Sequence, residues 1–214
     1  MDEQEARTAI VDVVLRLDAA GLNHGITGNV SVRIDGGMLV TPTGIRAHDL
    51  RPEDMVALLD DGSPRDPGGR LPTSEWRLHV ALYRRPSVGA IVHTHSLEAT
   101  AAATRRVHVP AVHYVVAAFG GTILPCAAYA TYGSQELADS VAATLGDRYT
   151  ACLMANHGAV AVAAGLQAAV SRVQDVEWLC GVWRRAKGMG GPVVIDDAEL
   201  ARVAERFRTY GQPR

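Results

Sequence analysis

The pair His93-Thr94-His95 sets two imidazoles two positions apart. On a strand, side chains at i and i+2 leave the same face, so both rings can reach one metal ion. Two strand-end histidines, one exposed and one held by a backbone carbonyl, would show the same spacing, and spacing alone does not separate the readings. A third imidazole, His157, stands in Asn156-His157-Gly158 just after the apolar run Ala151 to Met154, where a glycine lets backbone come close. Taken singly it is equally a turn histidine satisfied by its neighbours. Three neutral imidazoles with an open position describe a catalytic rather than a structural zinc site. Glu75 opens a helical segment, where the macrodipole favours an ionised carboxylate, and its plain reading is a helix-start acid of modest stabilising value. The other histidines, His24, His48, His79, His108 and His113, lack a second ligand at useful spacing and read as solvent-facing or as supports behind a site.

Three short segments could cradle a phosphate: Gly28-Asn29 in a glycine-rich turn, Thr43-Gly44 after Pro42, and Thr73-Ser74 at the start of a helix. Each offers backbone N–H groups beside a small side chain, and the third adds a helix N-terminus. None is a Walker or dinucleotide motif, and each alone is also an ordinary turn or cap.

These residues need elements to carry them. Ala6, Ile10, Val13, Val14 and Leu17 recur at spacings of three and four and predict a helix from Glu3 to Ala20, ended near Gly21. Val30 to Ile34 alternates apolar and polar, Asp35-Gly36-Gly37 turns the chain and Met38 to Val40 returns, which predicts a hairpin. A short strand at Ala57 to Leu59 precedes a surface loop from Asp60 to Gly69. Pro72-Thr73-Ser74-Glu75 carries capping hydroxyls and a first-turn acid ahead of a helix from Trp76 to Arg85. Further expectations are a strand at Ile91 and Val92, a helix from Leu97 to Thr104, and strand-like pieces at Ala111 to Val116 and Thr122 to Leu124. A helix from Gln135 to Leu145 follows. The apolar stretch Ala151 to Val170 reads as one buried strand, Thr150 to Met154, followed by a helix. The closing helices span Leu166 to Lys187 and Asp197 to Thr209. Hairpin, strands and flanking helices in this order predict an α/β fold of α-β-α layers around a mostly antiparallel central sheet, with residues 1–214 forming one domain.

Composition narrows the partners. A chain of 214 residues can bury one substantial core without disulfides. With 48% hydrophobic and 21% charged residues and a net charge of −2, nothing favours nucleic acid or an anionic membrane, so any phosphate bound is small and locally held. Three widely spaced cysteines, Cys126, Cys152 and Cys180, suggest neither a disulfide framework nor a thiolate zinc site, and fit a reducing compartment. The charged start, Met1 to Arg7, argues against a signal peptide. Asn156, His157 and Gln167 break the longest apolar stretch, which argues against a membrane span. The expected location is cytoplasmic.

Order and spacing together resemble the class II aldolase/adducin family over nearly the entire chain. The resemblance rests on GLNHGITGNVSVR (21–33), LVTPTGI (39–45), LPTSEWRLH (71–79), IVHTH (91–95), VPAVHY (109–114), NHG (156–158) and TYG (209–211). It implies the class II aldolase/adducin head fold and one Zn2+ per subunit, held by His93, His95 and His157. Glu75 would be a fourth ligand that leaves when substrate arrives and then serves as acid/base. It further implies a phosphate site from Gly28, Asn29, Thr43, Gly44, Thr73 and Ser74, a proton-handling Tyr114, a closing Tyr210, and cyclic homotetramers with active sites between subunits. The implied reaction is retro-aldol cleavage of a ketose 1-phosphate, foremost L-fuculose 1-phosphate, to dihydroxyacetone phosphate and L-lactaldehyde. The same scaffold also serves 4-epimerases, oxo-tetronate phosphate decarboxylases, methylthioribulose-phosphate dehydratases and non-catalytic adducin-like modules. Departures from the pattern are His24, Thr73, Asn156 and the Arg105-Arg106 region, which bear on aldehyde specificity, and Tyr132, in place of a Phe, would face a neighbouring subunit's substrate. Lys187, the only lysine, lies on a late helix, against a Schiff-base aldolase.

Overall fold

The computed structural model describes residues 2–66 and 68–210. Gly211, which ends the TYG segment, lies outside them. The chain opens with α1 (Glu3–Ala19) and the hairpin β1 (Asn29–Ile34) and β2 (Gly37–Val40), followed by β3 (Val56–Leu59), α2 (Trp76–Tyr83), β4 (Ala90–Thr94) and α3 (Leu97–Ala103). A short ladder of β5 (Val109–Pro110) and β6 (Ile123–Leu124) brackets a 3₁₀ helix, Tyr114–Phe119. Then come β7 (Cys126–Ala127), α4 (Gln135–Leu145), β8 (Ala151–Met154), β9 (Gly158–Ala163), α5 (Leu166–Gly188) and α6 (Asp197–Phe207).

Seven strands form one sheet in the order β3-β2-β1-β4-β9-β8-β7. Every neighbouring pair is antiparallel except β7 and β8, as the mixture of hairpins and helices leads one to expect. Side-chain alternation divides the core in two. Val30 and Val32 of β1, Ala90 and Val92 of β4, and Ala159, Ala161 and Ala163 of β9 face α1, α3 and α5. The alanines leave the room that lets the long α5 lie close to the sheet. Met38, Val40, Ile91, Val160 and Val162 point the other way, onto α2 and α4. Leu78 and Leu82, both buried there, fasten α2 by roughly 1.5–3 kcal/mol each.

Three expectations are corrected. The stretch after Thr150 is not one strand leading to a helix: β8 turns at Ala155–His157 and returns as β9, paired Ala151↔Ala161 through Met154↔Gly158. Both strands are buried on both faces, so no alternation marks the turn between them. Ala111 to Val116 is not a strand. Only Val109–Pro110 finds a partner, and from Tyr114 the chain coils into the 3₁₀ helix capped by His113, whose Nδ1 accepts the Val115 N–H at 3.2 Å. The Thr73 and Ser74 hydroxyls do not cap α2, and Glu75 sits one residue ahead of its first turn. Among the described residues no helix is long and apolar enough to cross a membrane.

Candidate metal centre

Antiparallel pairing brings the start of β1, the end of β4 and the start of β9 together at one end of the sheet, with Asn29 opposite His93 and Thr94 opposite Ala159. His93, fully buried, is the next-to-last residue of β4, His95 follows the strand, and His157 hangs in the β8–β9 turn. The three rings form a nearly equilateral triangle with centroids 4.7, 4.9 and 4.8 Å apart. Glu75 completes the group: His93, His95, His157 and Glu75 each offer one ligand atom, and these all lie within 4.8 Å of one another. Two close approaches make this possible. Gly158 runs against β4 so tightly that a Cβ would stand 2.3 Å from the Thr94 carbonyl oxygen and 3.3 Å from the His95 ring. Gly28, at φ +77°, leaves space for the Asn23 side chain, whose Oδ1 accepts the His95 N–H at 3.2 Å. Glu177 of α5 accepts the Glu98 and Ala99 N–H groups at 2.9 and 2.8 Å and so fixes α3 just beyond His95.

The hydrogen bonds aim the lone pairs inwards. His93 Nδ1–H donates to the Ala159 carbonyl at 2.9 Å, which bares Nε2 toward the centre. That Nε2 lies 2.9 Å from His95 Nε2 and 3.0 Å from Glu75 Oε2, while His157 Nε2 is 3.4 Å from Glu75 Oε1. Glu75 is buried, and its Oε1 has no hydrogen-bond partner among the described residues. Converging imidazole nitrogens with an orphaned carboxylate oxygen fit a divalent cation, and three histidines with a carboxylate suit zinc-type coordination.

The charges are mutually dependent. Burial pushes the Glu75 carboxyl up, but the facing His93 and His157 rings and the Asn29 amide hold it well below the usual carboxylate range. Burial disfavours a charge on His93, yet Glu75 lifts its ring above the ordinary histidine value. His95 is pushed down to about 3 by burial and by the adjacent His93 and His157, and His157 to about 4 by burial and His93. Charge on His95 and His157 is thus disfavoured, and Glu75 and His93 face each other as the one favourable pair.

A cavity of about 330 Å³ opens onto this centre. Gly28, Asn29, Thr43, Gly44, Thr73 and Ser74 all line it together with Glu75, His95 and His157, and His93 lies buried beneath. The segments around Thr43 and Thr73 are tied to each other, with Thr43 N–H donating to Leu71 O at 3.1 Å and Thr73 N–H to Thr41 O at 3.0 Å. Tyr129, Tyr132 and Asn156 line the same cavity, so Tyr132 faces this chain's own site. Arg106 holds Asn156 from outside, its Nε donating to Asn156 Oδ1 at 2.6 Å. Tyr114 and Tyr210 are not brought there. They stand 50% and 86% exposed in a separate cleft with Arg172, Asp175 and Phe207.

Sequence reasoning set His79 aside among the solvent-facing or supporting histidines. It is fully buried, between Asn29 and Ser31 at 2.6 Å each. The signal was present: Glu75, His79 and Tyr83 recur every fourth residue on one helix face, opposite Asn29 and Ser31 at i and i+2 on a strand.

Residues 8–183 match the model of the Class II Aldolase and Adducin N-terminal domain. The L-fuculose phosphate aldolase of Escherichia coli (strain K12) is 41% identical over 213 residues, 99% of this chain and 98% of that one. The 5-methylthioribulose-1-phosphate/5-deoxyribulose-1-phosphate aldolase of Rhodospirillum rubrum is also 41% identical, over 206 residues, 96% of this chain and 92% of its own. A solved L-fuculose 1-phosphate aldolase superposes with a TM-score of 0.91 at 36% identity, over 95% of this chain and 96% of that one. The chain therefore belongs to the class II aldolase/adducin family and is one of its lyases.

Proposed function

We propose that this chain cleaves a ketose 1-phosphate by a zinc-dependent retro-aldol reaction, with L-fuculose 1-phosphate as substrate and dihydroxyacetone phosphate and L-lactaldehyde as products. The observation that carries the reading is one cavity in which a buried carboxylate and inward-facing imidazoles meet six small residues suited to a phosphate. In this reading Glu75, His93, His95 and His157 hold one zinc ion per subunit. Gly28, Asn29, Thr43, Gly44, Thr73 and Ser74 hold the phosphate through backbone N–H groups, hydroxyls and the Asn29 amide.

Bound zinc supplies Lewis-acid stabilisation of the negative charge that develops on the dihydroxyacetone phosphate half as the C3–C4 bond breaks. The cradle fixes the phosphate end and so directs the remaining carbons toward the histidines. Tyr114 relays the C4 hydroxyl proton as the aldehyde forms, handing on its own phenolic proton as it takes the new one, and Glu75, which takes up a proton once substrate displaces it, delivers that proton to C3. Tyr210 closes over the bound substrate. Because Tyr114 and Tyr210 line a different cleft of the same chain, they serve this cavity from a neighbouring copy, in a cyclic homotetramer. The enzyme works in the cytoplasm, as one domain, on small phosphorylated sugars, without nucleic acid or membrane.

One other substrate has a specific observation behind it. The relative named for 5-methylthioribulose 1-phosphate and 5-deoxyribulose 1-phosphate matches at the same 41% identity as the one named for fuculose phosphate. Those ketoses would break the same bond and differ only in the aldehyde. The test is release of dihydroxyacetone phosphate from each ketose 1-phosphate by protein of measured zinc content. The highest kcat/KM on L-fuculose 1-phosphate is expected. A clear preference for a 5-deoxypentulose phosphate would reassign the substrate. Zinc-loaded protein that releases no dihydroxyacetone phosphate from any of them would end the aldolase reading in favour of epimerase, decarboxylase or dehydratase chemistry. Metal-free protein would favour the adducin-like module.

A further inference from the structure

Behind the cradle, Glu75 and Asn29 continue into a buried chain of polar side chains, His79, Ser31 and Tyr83, to which the reaction itself gives no role. Tyr83 Oη lies 2.9 Å from Ser31 Oγ, which lies 2.6 Å from His79 Nδ1. His79 Nε2 lies 2.6 Å from Asn29 Oδ1, and Asn29 Nδ2 donates to Glu75 Oε2 at 3.1 Å. None of the five is more than 8% exposed, and Ser31 and His79 are fully buried. Water therefore does not stand in for a missing partner, and the hydrogens must satisfy one another.

One arrangement does so. The Glu75 carboxylate only accepts, so Asn29 must turn its NH2 toward it. The Asn29 oxygen then faces His79, so Nε2 must carry the ring hydrogen. With the ring neutral, Nδ1 is bare and accepts the Ser31 hydroxyl hydrogen, and the Ser31 oxygen in turn accepts from Tyr83. Reversing the chain would set the Asn29 carbonyl 3.1 Å from the Glu75 carboxylate, a repulsive pair in a dry layer. It would also turn an oxygen rather than an N–H toward any phosphate in the cavity that Asn29 lines.

We propose that His79 is a positioning residue of the reaction: as its Nε2–H tautomer it locks the Asn29 amide with one N–H on Glu75 and the other left for the anionic substrate. This rests on the aldolase reading for its kinetic consequence and on the packing alone for its tautomer. Glu75 and the phosphate thereby share one donor side chain, so the acid/base and the cradle are oriented together. Ser31 and Tyr83 set the tautomer from behind.

The test pairs kinetics with spectroscopy. In protein labelled with ¹⁵N-histidine, His79 is expected as the neutral Nε2–H tautomer. In folded protein with unchanged metal content, His79→Phe is expected to lower kcat for dihydroxyacetone phosphate release about 10- to 100-fold, the usual effect of losing a support behind a ligand. His79→Gln, whose amide N–H can still reach Asn29, is expected to recover part of that loss. A ring found as Nδ1–H, a Phe variant within about twofold of wild type, or a Gln variant no better than Phe would each overturn the proposal. If His79→Phe does not fold, the tautomer and the Gln variant decide. Wild type that releases no dihydroxyacetone phosphate would defeat the aldolase reading, and the tautomer would then judge the positioning role by itself.

Discussion

Glu75 is 5% exposed, yet one of its oxygens accepts no hydrogen bond among the described residues, and the other is shared between His93 and Asn29. A buried carboxylate left in that state costs several kcal/mol unless a cation meets it. Its preference for the charged form suits it to meet a cation and leaves it a weak base until that cation or the facing rings withdraw. Glu75→Gln in zinc-loaded protein should lower kcat by roughly 10² to 10⁴, the usual worth of a general acid/base, as followed by dihydroxyacetone phosphate release. His79 gives a prediction on stability. Burial pushes its ring down to about 3 from the ordinary 6.5, so between those values the unfolded chain binds a proton that the folded chain does not. Stability therefore rises with pH across that window and is lost on acidification, by at most about 1.4 kcal/mol per pH unit from this residue. Denaturant midpoints at two values within the window should show a smaller loss for His79→Gln than for wild type. Residue types were legible in the sequence where chemistry forces them: three histidines, Glu75 and the small cradle residues. His79, Asn23 and Ser31 were not, because a buried support and an exposed polar residue look alike until both partner elements are known.

At the scale of elements, the centre is a consequence of where three strands end. β1 starts, β4 stops and β9 starts at one end of the sheet, and the register Asn29↔His93 sets a residue of the proposed cradle beside a proposed metal ligand. Gly158 is the pinch point, since a Cβ there would press on backbone, the Thr94 carbonyl, and not on a movable side chain. Gly158→Ala should destabilise the fold by about 1–3 kcal/mol in denaturant titration and loosen zinc, because His93, His95 and His157 all hang from the strands forced apart. A variant with unchanged zinc affinity would show that the turn can absorb the methyl group. The helices and the first hairpin were legible from periodicity to within a residue or two, while β9 and the 3₁₀ helix at Tyr114 were not. β9 has two buried faces and hence no alternation to read. At Tyr114 the β-branched residues suggested a strand, but the ladder beside them extends only to Val109 and Pro110.

For the whole molecule, the proposed reaction needs two surfaces of the chain that do not meet within it. One cavity carries Glu75 and the residues proposed to hold metal and phosphate, and another cleft carries Tyr114 and Tyr210 beside Phe207. If neighbouring copies join them, a Tyr114→Phe chain and a Glu75→Gln chain, each impaired alone, should regain activity when mixed under subunit exchange. Mixtures no better than the sum of their parts would place the tyrosines outside the reaction. Metal should also bind the folded state alone, so zinc at about 100 times its Kd adds roughly 2.7 kcal/mol to unfolding stability, and chelation removes it. The most direct test of the central claim joins that chelation to catalysis. Dihydroxyacetone phosphate release from L-fuculose 1-phosphate is measured on wild type as purified, after metal stripping, and after return of one zinc per subunit. Activity that vanishes on stripping and returns in proportion to bound zinc is the predicted result. Activity that survives complete removal of metal would contradict the account.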